Sequence, residues 1–151
     1  DDRKLTLAKT FGATAVINPK RQDPVAARTE INGGRLADIA IEGTGGASGV
    51  QTAIDLLRPR RPRLVIMSSF KGKTEIDLPA LCGKAVDVAH AHPGICADID
   101  DGVRRTETLI NNSVFRTDGI ISHRYPLEKI MDAFRDLGNR PDGYLKGIVI
   151  P

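Results

Sequence analysis

The residues best suited to chemistry lie between Ala37 and Leu57. An apolar run, Ala37-Asp38-Ile39-Ala40-Ile41-Glu42, meets a bend holding Gly43, Gly45, Gly46 and Gly49. A helical face follows, with Val50, Ala53, Ile54 and Leu57. A strand that feeds a helix through a glycine bend brings backbone N–H groups close to a nucleotide. The spacing here is G-x-G-x-x-x-G rather than the dinucleotide fingerprint G-x-G-x-x-G, and glycines also serve plain turns. Ligand contact and a tight turn therefore both stand as readings. Three histidines, His90, His92 and His123, raise metal binding, because imidazole is a frequent zinc ligand. His90 and His92 share a face if they lie on a strand, yet no third ligand follows at a telling interval. Glu42 and Asp38 read as polar groups on one strand rather than an acid–base pair. Cys82 and Cys96 have no C-x-x-C spacing, so a structural zinc site and a disulfide framework are both disfavoured, and reduced thiols are expected. No Ser-His-Asp set offers an arguable geometry.

Composition narrows the class. The 151 residues suffice for one domain with a core, and 40% hydrophobic with 27% charged residues is the balance of a water-exposed globular chain. Aromatics make up 4% and there is no Trp, which leaves little for base stacking. The net charge is +3, with one basic cluster, Arg58, Arg60, Arg61 and Arg63, in a Pro-rich turn. That cluster reads as a solvated loop, and no nucleic-acid partner is expected. No apolar stretch approaches a membrane span, and no signal peptide is evident, so a cytoplasmic setting without membrane contact is expected.

The elements that position the glycine bend follow from patterning. Asp1 and Asp2 precede Leu5, Leu7, Ala8 and Phe11, as helix-capping acids do, and Gly12 stops that helix. Ala15-Val16-Ile17 reads as a short buried strand closed by Asn18-Pro19. Pro24 to Ile31 reads as a helix. Leu64-Val65-Ile66-Met67 has the continuous apolar character of a parallel strand covered on both faces. Ile76 to Leu81 suggests one helical turn, and Ala85 to Ala89 a further apolar run broken by Asp87. Ile99 to Ile110 reads as a helix and Ile120-Ile121 as a short strand. Pro126 to Leu137 carries Leu127, Ile130, Met131, Phe134 and Leu137 on one stripe, which predicts a helix, and Leu145 to Ile150 predicts a final strand. Alternating strands and helices imply an α/β fold with a parallel sheet and helices on both faces. The last third departs from that rhythm as a helix–strand–helix–strand extension. The expected division is 1–91 and 92–151, the second part packing on something outside this chain.

In order along the chain, these segments resemble the medium-chain, zinc-type alcohol and polyol dehydrogenases. Leu7-Ala8-Lys9, Phe11-Gly12-Ala13-Thr14 and Val16-Ile17-Asn18-Pro19 resemble the stretch after the second strand of that family's cofactor domain. Ala37 to Glu42 with Gly45 resembles its fourth strand and following loop. Leu57-Arg58-Pro59 and Leu64 to Met67 are similar to the approach to the fifth strand and the strand itself. Ile121 to Leu127, then Glu128 through Ala133-Phe134, is similar to the late helix, and Lys146 to Pro151 to the closing strand. Val88-Ala89-His90-Ala91-His92 is similar to the sorbitol- and threonine-dehydrogenase branches. The resemblance implies a partial Rossmann-type sheet, with the zinc-bearing catalytic domain, the first two strands and the G-x-G-x-x-G turn lying before Asp1. Without those strands, 15–17 has no natural neighbour, and the chain alone is expected to be poorly stable or to need a partner.

The chemistry so implied is hydride transfer between an alcohol carbon and a nicotinamide, NAD or NADP, with zinc as Lewis acid in the parent enzyme only and not bound by this chain. Cofactor contacts would lie just past each strand. The resemblance points to Gly43, Thr44 and Gly45 after the fourth strand, near the adenosine and central portion. It points to Met67, Ser68 and Ser69 after the fifth, near the nicotinamide, where relatives often have glycine in place of Ser68. It points to Ala89, His90 and Ala91 at the sixth, facing the carboxamide. Lys4, or Arg3, is placed to reach the adenine ribose or to sit on a solvated helix face, and Lys146 matches a basic position near the pyrophosphate. No catalytic residue is expected within the chain. A small alcohol or polyol substrate and a homo-oligomer assembled near Ala85 to Ala91 are implied for the parent. A zinc-free quinone or enoyl reductase of the same superfamily, and a non-catalytic truncated module, are the alternatives.

Overall fold

The computed structural model describes residues 1–92, 94 and 97–151, so Cys96, read above as a reduced thiol, lies outside the described residues. In chain order the elements are α1 (Asp2–Thr10), α2 (Pro24–Ile31), β1 (Ile39–Glu42), α3 (Ala47–Leu56), β2 (Arg63–Ile66), α4 (Leu78–Gly83), β3 (Asp87–His90), α5 (Ile99–Asn111), β4 (Ile121–Pro126), α6 (Ile130–Asn139) and β5 (Lys146–Ile150). They divide into two compact units, Ile17–Gly102, and Asp1–Val16 with Val103–Pro151. The mixed α/β class with parallel sheets and flanking helices is as the sequence implied.

In the unit Ile17–Gly102, the starts of α2 and α4 are fixed by carboxylates. Asp23 accepts from the Ala26 N–H at 2.8 Å ahead of Pro24, and Asp77 accepts from the Ala80 N–H at 2.9 Å. Each satisfies one donor that a helix leaves unpaired in its first turn. Asp77 also explains why α4 begins at Leu78 rather than at Ile76. At the other end of α3, the Lys84 ammonium donates to the carbonyls of Ile54 (2.8 Å) and Asp55 (3.2 Å), where the helix dipole favours a cation.

The sheet of this unit has the order β1-β2-β3, all parallel, with Ile39 to Glu42 opposite Arg63 to Ile66, and Arg63 to Ile66 opposite Asp87 to His90. Its core is Val50, Ala53 and Ile54 of α3 with Leu57 and Leu64, surrounded by Ala37, Ala40, Ile66, Phe70, Ala80, Leu81 and Val86. Successive strand residues face opposite ways. Leu64 therefore turns inward at 1% exposure, while Ile39 and Ile41 on the opposite face of β1 are 60% and 64% exposed. On β2, the strand expected to be covered on both faces, Leu64 is buried and Val65 and Ile66 are half-buried, while Met67 just past its end is exposed. The open face belongs to β1.

Ala15-Val16-Ile17 is half-buried but forms no strand, which corrects the sequence reading. A strand exists through the ladder of its neighbour, and among the described residues no segment pairs with 15–17.

The unit Asp1–Val16 with Val103–Pro151 starts at a cap. The Asp1 carboxylate accepts from the N–H groups of Arg3 (3.1 Å) and Lys4 (3.3 Å), while Asp2 lies in the first turn of α1. Here β4 and β5 pair in parallel. The register slips between Ile121 and His123, where the Ser122 hydroxyl accepts from the N–H groups of Leu145 (2.9 Å) and Lys146 (3.1 Å). A side chain takes the place of a ladder acceptor there. This pairing corrects two expectations. The strand runs on from Ile121 to Pro126, and the helix predicted from Pro126 starts only at Ile130, after a 3-10 turn over Leu127–Lys129. Pro126 is extended (φ −67°, ψ 157°) opposite Ile150, a strand-end position that tolerates the missing N–H. Tyr125 is buried, and its hydroxyl donates to Asp136 of α6 at 2.8 Å, tying helix to strand.

Candidate functional site

The carboxyl ends of β1 and β2 converge on one side chain. Glu42, the last residue of β1, is 2% exposed. Its Oε1 accepts from the Thr44 N–H at 2.6 Å, the Thr44 hydroxyl at 2.5 Å and the Gly45 N–H at 3.0 Å. Its Oε2 accepts from the Ser68 hydroxyl. One carboxylate therefore binds the bend after β1 to the bend after β2. Burial pushes the Glu42 carboxyl up, but the bonds from Ser68, from the Thr44 hydroxyl and N–H, and from Gly45 together outweigh it and hold the group at about 2.

Two glycines make the arrangement possible. Gly45 has φ +74°, and a Cβ there would stand 2.7 Å from the Ser69 carbonyl oxygen. A Cβ at Gly49 would stand 2.0 Å from the Thr44 hydroxyl oxygen and 3.0 Å from Glu42 Oε1. The glycine spacing read from the sequence thus serves close approach of the two bends and of α3 to the carboxylate.

Sequence-chosen residues Gly43, Thr44, Gly45, Met67 and Ser68 come together at this end of the sheet. Met67 is 59% exposed, whereas the Thr44 and Ser68 hydroxyls turn inward to Glu42. Ala89 and His90 lie within β3, opposite Val65 and Ile66, and the Ala91 N–H donates to the Ile66 carbonyl at 2.9 Å. Lys4 and Lys146 belong to the other unit. Lys4 Nζ stands 3.9 Å from an Asp1 carboxylate oxygen, and Lys146 opens β5. Beside the Glu42 bend runs an open groove of about 760 Å³, bordered by Ile17, Pro19, Ile39, Ile41, Gly43 and Thr44.

Sequence reasoning assigned Glu42 no more than a strand-end role. The signal that reveals it is a carboxylate two and three residues ahead of a hydroxyl and a glycine in one bend. Asp38, considered beside it, bonds to the Arg58 guanidinium, which holds its carboxyl below the usual range. The histidines are scattered. His90 is exposed, His92 Nδ1 accepts from the Gly94 N–H at 3.1 Å, and the ring of His123 lies 5.0 Å from that of Tyr144. Among the described residues no group of three or more His, Cys, Asp or Glu is placed to hold a metal ion. No helix among them is long and apolar enough to cross a membrane.

Comparison with known proteins gives the family and the fold. The chain is 25% identical over its whole length to an alcohol dehydrogenase of Cupriavidus necator, and spans 41% of that relative. It is 32% identical over 126 residues to an erythritol/L-threitol dehydrogenase of Mycolicibacterium smegmatis, covering 82% of this chain and 33% of the relative. Among solved structures, an alcohol dehydrogenase zinc-binding domain protein from Burkholderia ambifaria superposes with a TM-score of 0.81 at 29% identity, over 100% of this chain and 40% of its own. The family model described as zinc-binding dehydrogenase matches residues 1–101. The chain belongs to the zinc-binding dehydrogenase family.

Proposed function

We propose that this chain is the cofactor-holding, C-terminal part of an NAD(P)-dependent, zinc-type alcohol or polyol dehydrogenase. The observation that carries the reading is the locking of two bends, 43–45 and 67–69, at the carboxyl ends of adjacent parallel strands, which is where open α/β sheets bind their ligands. Gly45 supports it, since an added Cβ would prevent the close approach of the two bends. Bound there, the nicotinamide cofactor supplies the hydride-accepting or hydride-donating ring. The chain's own residues in the unit Ile17–Gly102 orient it, with Gly43, Thr44, Gly45, Met67, Ser68, Ala89, His90 and Ala91 as the candidate contacts. In this reading zinc is held by the parent enzyme outside this chain. The substrate is a small alcohol or polyol. The parent assembles as a homo-oligomer around 85–91, where the outer edge of β3 offers ladder groups to a second copy.

Titration of the chain with NADH, followed by nicotinamide fluorescence, tests the reading. Saturable enhancement with a blue shift is the expected outcome, and a folded spectrum with no change on addition of NADH or NADPH would overturn it.

A further inference from the structure

We propose that Glu42 is a positioning residue that occupies the donors of both bends, closing this end of the sheet to anions and fixing it for an uncharged part of the cofactor. The inference deepens the cofactor-holding reading and rests on it. A glycine bend between strand and helix ordinarily offers its N–H groups to a phosphate. Here the Thr44 and Gly45 N–H groups both point at Glu42 Oε1, at 2.6 and 3.0 Å. The hydroxyls of Thr44 and Ser68, which would be the next donors, also point at the same carboxylate.

The start of α3 shows the same substitution of an internal anion for an external one. Its N-cap is Gly46, which has no side chain to accept from the first-turn N–H groups. The Gly46 N–H donates instead to the Thr44 hydroxyl oxygen at 3.4 Å, and that hydroxyl donates to Glu42, whose carboxylate supplies the negative charge that a helix N-terminus favours. Glu42 is ionised across the neutral range, since its carboxyl is held at about 2. A phosphate brought to these N–H groups would have to displace a buried carboxylate or stand beside it, and like charges in a half-desolvated site repel strongly. What the bends still offer outward is the exposed Met67 side chain and the exposed, Cβ-free backbone at Gly43, surfaces that suit a ribose or a ring. The carboxylate also couples the bends, so that displacement of Ser68 moves Thr44.

The test uses the full chain with Glu42→Ala and Glu42→Gln, each read by backbone amide NMR and by NADH titration. Glutamine keeps a carbonyl oxygen for Thr44 and Gly45 and presents an amide to Ser68, which can accept. Glu42→Gln is therefore expected to bind NADH within about threefold of the native chain, and Glu42→Ala to bind at least about tenfold more weakly. Inorganic phosphate should leave the Thr44 and Gly45 amide signals of the native chain in place, and should move them saturably in Glu42→Ala. Native amides that shift with phosphate, or an alanine variant that binds NADH as tightly as the native chain, overturn the proposal. If Glu42→Ala does not fold, Thr44→Val removes one hydroxyl donor with shape kept. It should weaken NADH about threefold or more, with Thr44→Ser restoring binding, and equal affinity of both variants also overturns the proposal. A native chain that binds no NADH fails the cofactor reading, while the phosphate response still decides whether Glu42 closes the bend.

Discussion

At Glu42, one buried carboxylate is bonded by two N–H groups and two hydroxyls, and its proton affinity becomes a statement about stability. Its ordinary value is 4.5, and in the folded chain it lies at about 2. A carboxyl depressed by folding stabilises the native state above its unfolded value, and that contribution is lost as pH falls through the folded one. The unfolded chain binds the proton first, so the loss runs from about pH 4.5 down to about pH 2. The native chain should therefore show a urea midpoint that drops steeply between pH 5 and pH 3. In Glu42→Gln the midpoint should be lower at pH 7 and fall less over the same range. Parallel pH profiles for the two would mean that Glu42 is not held as described.

At the scale of elements, the sheet of the unit Ile17–Gly102 has an inside and an outside that single substitutions can distinguish. Leu64 on β2 packs with Ile54, Val50 and Leu57, whereas Ile41 on β1 faces away at 64% exposure. Leu64→Ala leaves a cavity under α3 and should cost about 2–5 kcal/mol, while Ile41→Ser should stay within about 0.5 kcal/mol. Urea midpoints of the two variants, followed by far-UV circular dichroism, check this. Much of this layout was legible in the sequence. Pro24 with Asp23 before it marked α2, and Val50, Ala53, Ile54 and Leu57 marked the inward face of α3, because local caps and a 3.6-residue period are written in neighbouring residues. What escaped was set at long range. Whether 15–17 is a strand depends on a neighbour, not on its own apolar residues. The extension of β4 to Pro126 depends on β5, some twenty residues later. At the site, the positions 43–45 and 67–68 were legible as strand ends. The Glu42 bond to Ser68, 26 residues away, was not, since no local pattern announces a contact of that separation.

For the whole chain, the surface decides how it behaves alone. In the unit Ile17–Gly102, Ile39 and Ile41 leave one face of β1 open. In the other unit, Met131 (73%), Phe134 (62%) and Leu137 (51%) expose the apolar stripe of α6. Contiguous apolar surface of this kind marks a place where another surface sits. The chain also spans 41% of the length of its Cupriavidus relative, so most of that relative has no counterpart here. A small core with uncovered faces has little hydrophobic burial to offset chain entropy. The isolated 151-residue chain should accordingly melt over a broad range and bind the dye ANS in its folded state. The double variant Ile39→Ser with Ile41→Ser should lower the dye signal without narrowing or shifting the melt, because those side chains contribute little burial to the chain on its own. A sharp, cooperative melt with no dye binding would show that the two faces are covered within the chain itself.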